Sequence, residues 1–118
     1  MKVMIIDDSK AIFMMVSKML TDRGHEAIWA EDGIDACTKL GQSDVDLVLL
    51  DWNMPNMNGP EFLEKNQSDS VTKAPIVMMT TENKPDYIKK ALMLGAVEYI
   101  MKPFTADILF NKIELVFD

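Results

Sequence analysis

The sequence predicts an α/β protein built on a doubly wound, five-stranded parallel β-sheet with helices on both faces. Five short apolar runs alternate with longer segments in which apolar residues recur at helical spacing. The centre of each run is nearly continuous Val, Ile, Leu and Met, without in/out alternation, which indicates strands covered on both faces. Repeated strand–helix units imply right-handed crossovers, so the helices are divided between the two faces.

The predicted strands follow the apolar runs in chain order, and they are Lys2–Ile6, Glu26–Ala30, Asp46–Leu50, Pro75–Thr80 and Val97–Met101. The second run has the weakest pattern, so we expect it to lie nearer an edge of the sheet.

The first predicted helix has the longest apolar stripe, which contains Ala11, Ile12, Met15, Val16, Met19 and Leu20. We expect Gly24 to be its C-terminal cap, because glycine tolerates the left-handed conformation found there. The second and fourth helices are predicted from shorter apolar stripes, each of which ends before a glycine. The stripe of the second helix contains Ile34, Cys37 and Leu40, and that of the fourth contains Ile88, Ala91 and Leu92.

The third and fifth helices are predicted from their starts. Pro60 suits the first turn of a helix that carries Phe62 and Leu63. Thr105 is a good N-cap for a helix over Ile108–Phe117.

Composition limits the function. The 118 residues, 48% of them hydrophobic, suit one domain spanning 1–118, with no room for an output domain. A net charge of −7 disfavours nucleic-acid binding, and no apolar run approaches the ~20 residues of a membrane span. The apolar start reaches Asp7 too soon for a signal peptide. Because Cys37 is the single cysteine, we expect a reducing compartment, and the chain is predicted to be a cytoplasmic monomer.

Polar residues are concentrated where the predicted strands end. Asp7 and Asp8 follow the first strand, Asp51 the third, Thr80 closes the fourth, and Lys102 follows the fifth. Ligand sites gather at the carboxyl ends of parallel strands, so the three carboxylates should converge. Their mutual repulsion must be relieved either by raised pKa values or by a cation, for which Mg²⁺ suits the oxygen ligands. Together with the Lys102 ammonium and the Thr80 hydroxyl, these carboxylates suit phosphoryl transfer, and Asp51 is the candidate nucleophile. Taken singly, each residue is more often an ordinary turn, cap or strand end, and only their shared position at one end of the predicted sheet favours a site.

The order of these residues resembles the receiver domain of two-component response regulators, and it runs Asp7-Asp8, Asp51, Thr80 and Lys102-Pro103-Phe104. The segment 51–59, Asp-Trp-Asn-Met-Pro-Asn-Met-Asn-Gly, is similar to the phosphorylation segment of CheY-like chemotaxis regulators, and residues 94–96 and 99–105 extend the likeness. The resemblance implies a flavodoxin-like, CheY-like sheet of order 2-1-3-4-5 and a cis Lys102–Pro103 bond.

The resemblance also implies the chemical roles. Asp51 would accept phosphate from a histidine kinase or phosphotransfer protein. Asp8, Asp51 and the backbone carbonyl of Asn53 would ligate Mg²⁺, with Asp7 acting through a metal-bound water. Lys102 would contact the phosphoryl group.

A switch and a lifetime control are implied in the same way. Thr80 would hydrogen-bond the phosphoryl group and move inward, which lets Tyr99 swing from exposed to buried. Asn53 and Glu82 stand where phosphate lifetime is tuned. Thr81 stands where the family usually has a smaller residue, so its side chain should narrow access to the phosphoryl group.

Two surfaces are candidates for partners. A target such as the flagellar motor switch would bind the fourth helix, fifth strand and fifth helix, through residues that include Lys84, Ile88, Tyr99 and Lys112. On the first helix, Phe13 and Met14 stand where related proteins often have basic residues. They either widen the core face or form an apolar patch that docks the phosphodonor, and we hypothesise that at least one is exposed.

Several alternatives to a chemotaxis receiver remain. One is a receiver in a phosphorelay or one that regulates another enzyme. An aspartate-nucleophile phosphatase of the haloacid dehalogenase type would need an Asp where Asn53 stands. A flavodoxin-like FMN carrier would need a glycine- and hydroxyl-rich loop where Asp7-Asp8 would repel phosphate. A dinucleotide enzyme would need a G-x-G-x-x-G segment, which the chain lacks after its first strand.

Overall fold

The computed structural model describes residues 1–117 and confirms the predicted fold class. Its strands are β1 (Lys2–Ile6), β2 (Glu26–Ala30), β3 (Leu47–Leu50), β4 (Ile76–Thr80) and β5 (Glu98–Met101). They pair in parallel in the order β2-β1-β3-β4-β5, so the expected strand order is confirmed as well. Strands β1 and β2 have the predicted bounds, and the other three begin one residue later than predicted.

Five helices alternate with the strands in the described part of the chain, and they are α1 (Lys10–Thr21), α2 (Gly33–Leu40), α3 (Gly59–Asp69), α4 (Pro85–Met93) and α5 (Ala106–Phe117). Pro60 lies in the first turn of α3 as predicted. The Thr105 hydroxyl accepts from the Ile108 backbone N–H, so the predicted cap of α5 is confirmed. No helix among residues 1–117 is both long and apolar enough to cross a bilayer.

The sheet separates two apolar clusters, one on each face. In β3, Leu47 and Leu49 point into the cluster formed with α1 and α5, whereas Val48 and Leu50 point into the cluster formed with α2, α3 and α4. Because successive side chains of a strand point to opposite faces, both faces must be apolar here. This explains the continuous apolar runs of the sequence.

The predicted role of Gly24 at the end of α1 is confirmed. Helix α1 ends at Thr21, and Gly24 follows it in the left-handed conformation, with a φ of +83°. The His25 N–H donates to the Leu20 carbonyl and the Gly24 N–H to the Thr21 carbonyl, which is the hydrogen-bonding pattern of a helix closed by a glycine.

The predictions for helix faces were wrong at several positions. Met15 is exposed because the buried face of α1 contains Val16 and Leu20, with Phe13 half-buried beside them. Three further stripe residues are also exposed, and they are Ala11, Ile34 and Leu92.

Candidate functional site

The register of the sheet brings the predicted acidic residues together. Ile6 of β1 lies opposite Leu50 of β3, so Asp7 and Asp51 leave neighbouring strands at the same edge. One carboxylate oxygen from each of Asp7, Asp8 and Asp51 lies within 4.8 Å of the others. Asp7 and Asp51 are buried, whereas Asp8 is exposed. The predicted convergence of the three side chains is therefore observed.

Lys102 carries the positive charge nearest to the buried carboxylates. Its Nζ lies 2.8 Å from Oδ2 of Asp7 and 3.2 Å from Oδ1 of Asp51, and its side chain is 11% exposed. The Lys102 backbone N–H donates to the carbonyl of Thr80, which anchors the lysine to the end of β4. The Lys102–Pro103 bond is cis, as the resemblance implied. One ammonium is thus shared by two buried carboxylates.

The electrostatics of Asp51 show that this sharing leaves negative charge uncompensated. Burial and the nearby charge of Asp7 raise the pKa of Asp51 to about 6, although Lys102 and the Trp52 backbone N–H, which donates to Oδ1 at 2.8 Å, act in the opposite direction. A divalent cation would relieve this repulsion. The donor set consists of hard carboxylate oxygens and is partly open to water, so the residues present fit Mg²⁺.

The residues predicted to tune phosphate lifetime lie beside this cluster. The Asn53 amide donates to Oε1 of Glu82 at 3.4 Å, and Thr81 is exposed. An open pocket of about 330 Å³ is lined by Asp8, Asn53, Met54, Pro55 and Asn58. The exposed carboxylate of Asp8 is therefore reachable from solvent through this pocket.

The two predicted switch residues are both turned inward. Thr80 is fully buried, and its hydroxyl accepts from the Glu82 backbone N–H at 3.2 Å. Tyr99 is 8% exposed, and its hydroxyl donates to the Glu82 carbonyl at 2.5 Å. Thr80 and Tyr99 thus converge on the backbone of one residue, Glu82.

The loop that follows Asp51 is held by contacts that the sequence analysis missed. Gly59 packs so closely that an added Cβ would lie 2.5 Å from the backbone oxygen of Asp51. Asn56, with a φ of +65°, donates its amide to buried Asp32 at 2.8 Å. Asp32 also caps α2 by accepting from the Asp35 N–H. The Asn-Met-Asn-Gly segment signals a turn, but nothing in the sequence pairs Asn56 with Asp32.

The candidate docking residues differ in exposure. Met14 is 59% exposed, so the hypothesis that at least one of the α1 pair is exposed is confirmed. Phe13 is half-buried and stacks on Trp29, with ring centroids 5.5 Å apart. The Trp29 indole in turn donates to the Asp7 carbonyl at 2.8 Å, a contact that the sequence analysis did not find.

The candidate target-binding residues lie along α4, β5 and α5. Lys84 is exposed at the start of α4, and Ile88 is half-buried one turn later. Lys112 of α5 is half-buried, and its Nζ lies 3.2 Å from Oε1 of Glu98 on β5.

Fold and site together define a small α/β domain with a cluster of three aspartates at the carboxyl ends of its strands. A family model described as the response regulator receiver domain matches residues 3–114. The chain belongs to this signalling family of CheY-like receiver domains.

Curated relatives and solved structures agree with this assignment. The chain is similar to the chemotaxis protein CheY1 of Helicobacter pylori, with 40% identity over 98% of this chain and 96% of that protein. It is 38% identical to the chemotaxis protein CheY-3 of Vibrio cholerae, over 100% of this chain and 92% of that one. The crystallized chemotaxis protein CheY4 of Vibrio cholerae superposes with a TM-score of 0.90 at 37% identity, covering 98% of this chain and 97% of that chain.

Proposed function

We propose that this protein is a chemotaxis response regulator whose Asp51 accepts a phosphoryl group from a histidine kinase or phosphotransfer protein in the cytoplasm. The observation that carries the proposal is the convergence of Asp7, Asp8 and Asp51 with the Lys102 ammonium. The relatives named as chemotaxis proteins support the pathway, since the chain covers 92–97% of their length.

The chemistry follows from the arrangement of these groups. An ionised Oδ of Asp51 attacks phosphorus in a phosphohistidine, the P–N bond breaks, and the imidazole leaves with the electron pair, which forms an acyl phosphate on Asp51. Lys102 favours the ionised carboxylate before transfer and pairs with phosphoryl oxygens afterwards. Asp8, Asp51 and the Asn53 carbonyl would hold Mg²⁺, with Asp7 assisting through water. The ion would supply charge neutralisation at the transferring group.

The output step starts at Thr80. A phosphoryl group on Asp51 offers the Thr80 hydroxyl a charged acceptor, so the hydroxyl would turn away from the Glu82 N–H that now donates to it. The Tyr99 hydroxyl donates to the carbonyl of the same residue, Glu82. Loss of the Thr80 contact would therefore alter the balance between the inward and the outward conformation of the Tyr99 side chain. The surface bearing Lys84, Ile88, Tyr99 and Lys112 would then bind a protein target such as the flagellar motor switch.

Asp8→Asn is expected to weaken Mg²⁺ binding by about tenfold or more, about 1.4 kcal/mol, because it removes one of three converging carboxylates. Calorimetric titration measures the affinity, and tryptophan fluorescence, which includes the emission of Trp52 beside Asp51, gives a second signal. The matched control is Asp44→Asn, an exposed aspartate that precedes β3 at the opposite edge. Equal Mg²⁺ affinity in the two variants would contradict the proposed metal site.

Thr81→Ala is expected to speed dephosphorylation by about threefold, about 0.6 kcal/mol in the barrier, because a smaller side chain admits water to the phosphoryl group. Thr81 is exposed, so its removal should cost little stability. The decay of phosphorylated protein, followed by intact-mass spectrometry, provides the rate. Thr38→Ala, an exposed threonine on α2, serves as the control, and unchanged decay in Thr81→Ala would show that access does not limit hydrolysis.

Met14→Ala is expected to slow phosphotransfer from the cognate protein donor by about threefold to tenfold and to leave uptake from acetyl phosphate unchanged. An exposed methionine on α1 can be buried by a docking partner, whereas the small donor needs no protein interface. Met93→Ala is the matched control, since Met93 is 71% exposed on α4. If Met14→Ala and Met93→Ala slow the protein donor equally, α1 is not the docking surface. Phe13 is less suited to this test because it is half-buried.

A further inference from the structure

Trp29 makes a polar contact with the acidic site from outside it. It lies on the edge strand β2, paired in register with Ile5 of β1, and its ring is half-buried. The indole Nε1–H donates to the backbone carbonyl of Asp7 at 2.8 Å. Trp29 offers no ligand atom to the carboxylate cluster, so its effect on that cluster must pass through the backbone of Asp7.

The carbonyl that Trp29 binds belongs to the peptide joining Asp7 to Asp8. The other groups of Asp7 already have partners: its N–H donates to Ala30, its Oδ1 accepts from the Ser9 N–H at 2.9 Å, and its Oδ2 contacts Lys102. Because β1 ends at Ile6, no strand donor meets the Asp7 carbonyl, and the indole fills that place. Restraining this peptide plane restrains the backbone from which the Asp8 carboxylate extends.

Two further elements hold Trp29: α1 contacts its indole, and α2 contacts its backbone. From α1, Phe13 stacks on the indole with an interplanar angle of 18°, and Phe13 packs against the core cluster that α1 and α5 share. From α2, the Lys39 ammonium donates to the Trp29 carbonyl. Phe13, one of the two apolar α1 residues singled out as docking candidates, therefore has a structural partner. Its partner contacts the acidic site directly.

We propose that Trp29 is a positioning residue of the acidic site: its indole N–H orients the Asp7–Asp8 peptide, and Phe13 holds the indole in place. The proposal rests on the proposed function, because it takes Mg²⁺ as the cation of that site. Removing the indole N–H should weaken Mg²⁺ binding although every ligand remains. Removing the Phe13 ring should act in the same direction through a looser indole.

Calorimetric Mg²⁺ titrations of Trp29→Phe, Phe13→Leu and the double variant test this proposal. Trp29→Phe keeps an aromatic ring and removes the donor, so we expect a twofold to tenfold weaker affinity, the range of one hydrogen bond. Phe13→Leu should weaken binding by less. The double variant should be no weaker than Trp29→Phe alone, because both changes act through one contact. Phe117→Leu, at an exposed aromatic residue, is the control.

A second measurement does not depend on the variants of Trp29. The chain contains two tryptophans, so Trp52→Phe leaves Trp29 as the single tryptophan. Its emission should change with Mg²⁺ at the concentration where heat is released.

The outcomes separate the two proposals. Trp29→Phe with a lower melting temperature and unchanged Mg²⁺ affinity would show that Trp29 only stabilises the fold, and would overturn the positioning role while the metal site stands. Trp29 emission that stays constant during a Mg²⁺ titration that releases heat would also overturn the positioning role and leave the metal site standing. A native protein that releases no heat with Mg²⁺ would overturn the metal site and the positioning role together.

Discussion

Asp51→Asn is expected to abolish phosphoryl uptake from acetyl phosphate. An amide oxygen is too weak a nucleophile to form an acyl phosphate, and buried Asp7 is poorly suited to replace Asp51. Asp7 is 1% exposed and bonded through both of its oxygens, to the Ser9 N–H and to Lys102. Intact-mass spectrometry after incubation with acetyl phosphate and Mg²⁺ should show an adduct on the native protein and none on the variant.

The control for this result is Asp44→Asn, which loses the same charge at the opposite edge of the sheet and should take up phosphate normally. An adduct that persists in Asp51→Asn would move the nucleophile to Asp8, the exposed member of the cluster. Asp8→Asn in the same background would then remove the adduct, and the assignment of Asp51 would be wrong.

The same substitution is expected to stabilise the metal-free protein at neutral pH by about 2 kcal/mol. Burial and Asp7 raise the pKa of Asp51 to about 6 from an ordinary value of 3.8, which corresponds to about 3 kcal/mol before an allowance for partial access of water. Removing Asp51 leaves no ammonium unpaired, since Lys102 keeps Asp7 at 2.8 Å. Asparagine therefore relieves the repulsion without creating an orphaned charge.

The pH dependence of this effect has a definite sign. Between about pH 4 and pH 6 the native state holds a proton on Asp51 that the unfolded chain has lost, so this group's contribution to stability falls as pH rises through that window. Urea unfolding in a chelator should give nearly equal free energies for native protein and Asp51→Asn at pH 4. By pH 7 the free energy of unfolding of the variant should exceed that of the native protein, and saturating Mg²⁺ should reduce this difference. A difference independent of pH would contradict the raised pKa of Asp51.

The strands were predictable because burial on both faces leaves a direct signal in the sequence. The segment Leu47-Val-Leu-Leu predicts a buried strand because each side chain is apolar, whichever face of the sheet it lies on. The weaker pattern of β2, with half-buried Ile28 and Trp29, correctly predicted a strand at the edge of the sheet. The acidic site was predictable for a related reason. Parallel strands place their carboxyl ends at one edge, so Asp7 and Asp51 needed only neighbouring strands to meet.

The contacts that were missed depend on backbone atoms or on one conformation of a loop. The bond from Trp29 to the Asp7 carbonyl carries no mark in the sequence, since every residue has a carbonyl. The bond from Asn56 to Asp32 requires Asn56 to adopt a positive φ, which the order of residues does not determine. On α1, a small rotation of the helix about its axis exposes Met15 and half-buries Phe13, and helical spacing alone does not set that rotation.

The placement of α1 and α4 on opposite faces of the sheet bears on the timing of signalling. Met14 lies on the helix that packs with α5, and Ile88 lies on the helix that packs with α2 and α3. A target whose first contact is with α4 would therefore not compete with a phosphodonor seated on α1, whereas its later contact with Lys112 lies on α5, which packs with α1. Capture by the target could begin before the donor departs, so a brief three-protein assembly could shorten the interval in which the acyl phosphate is exposed to hydrolysis.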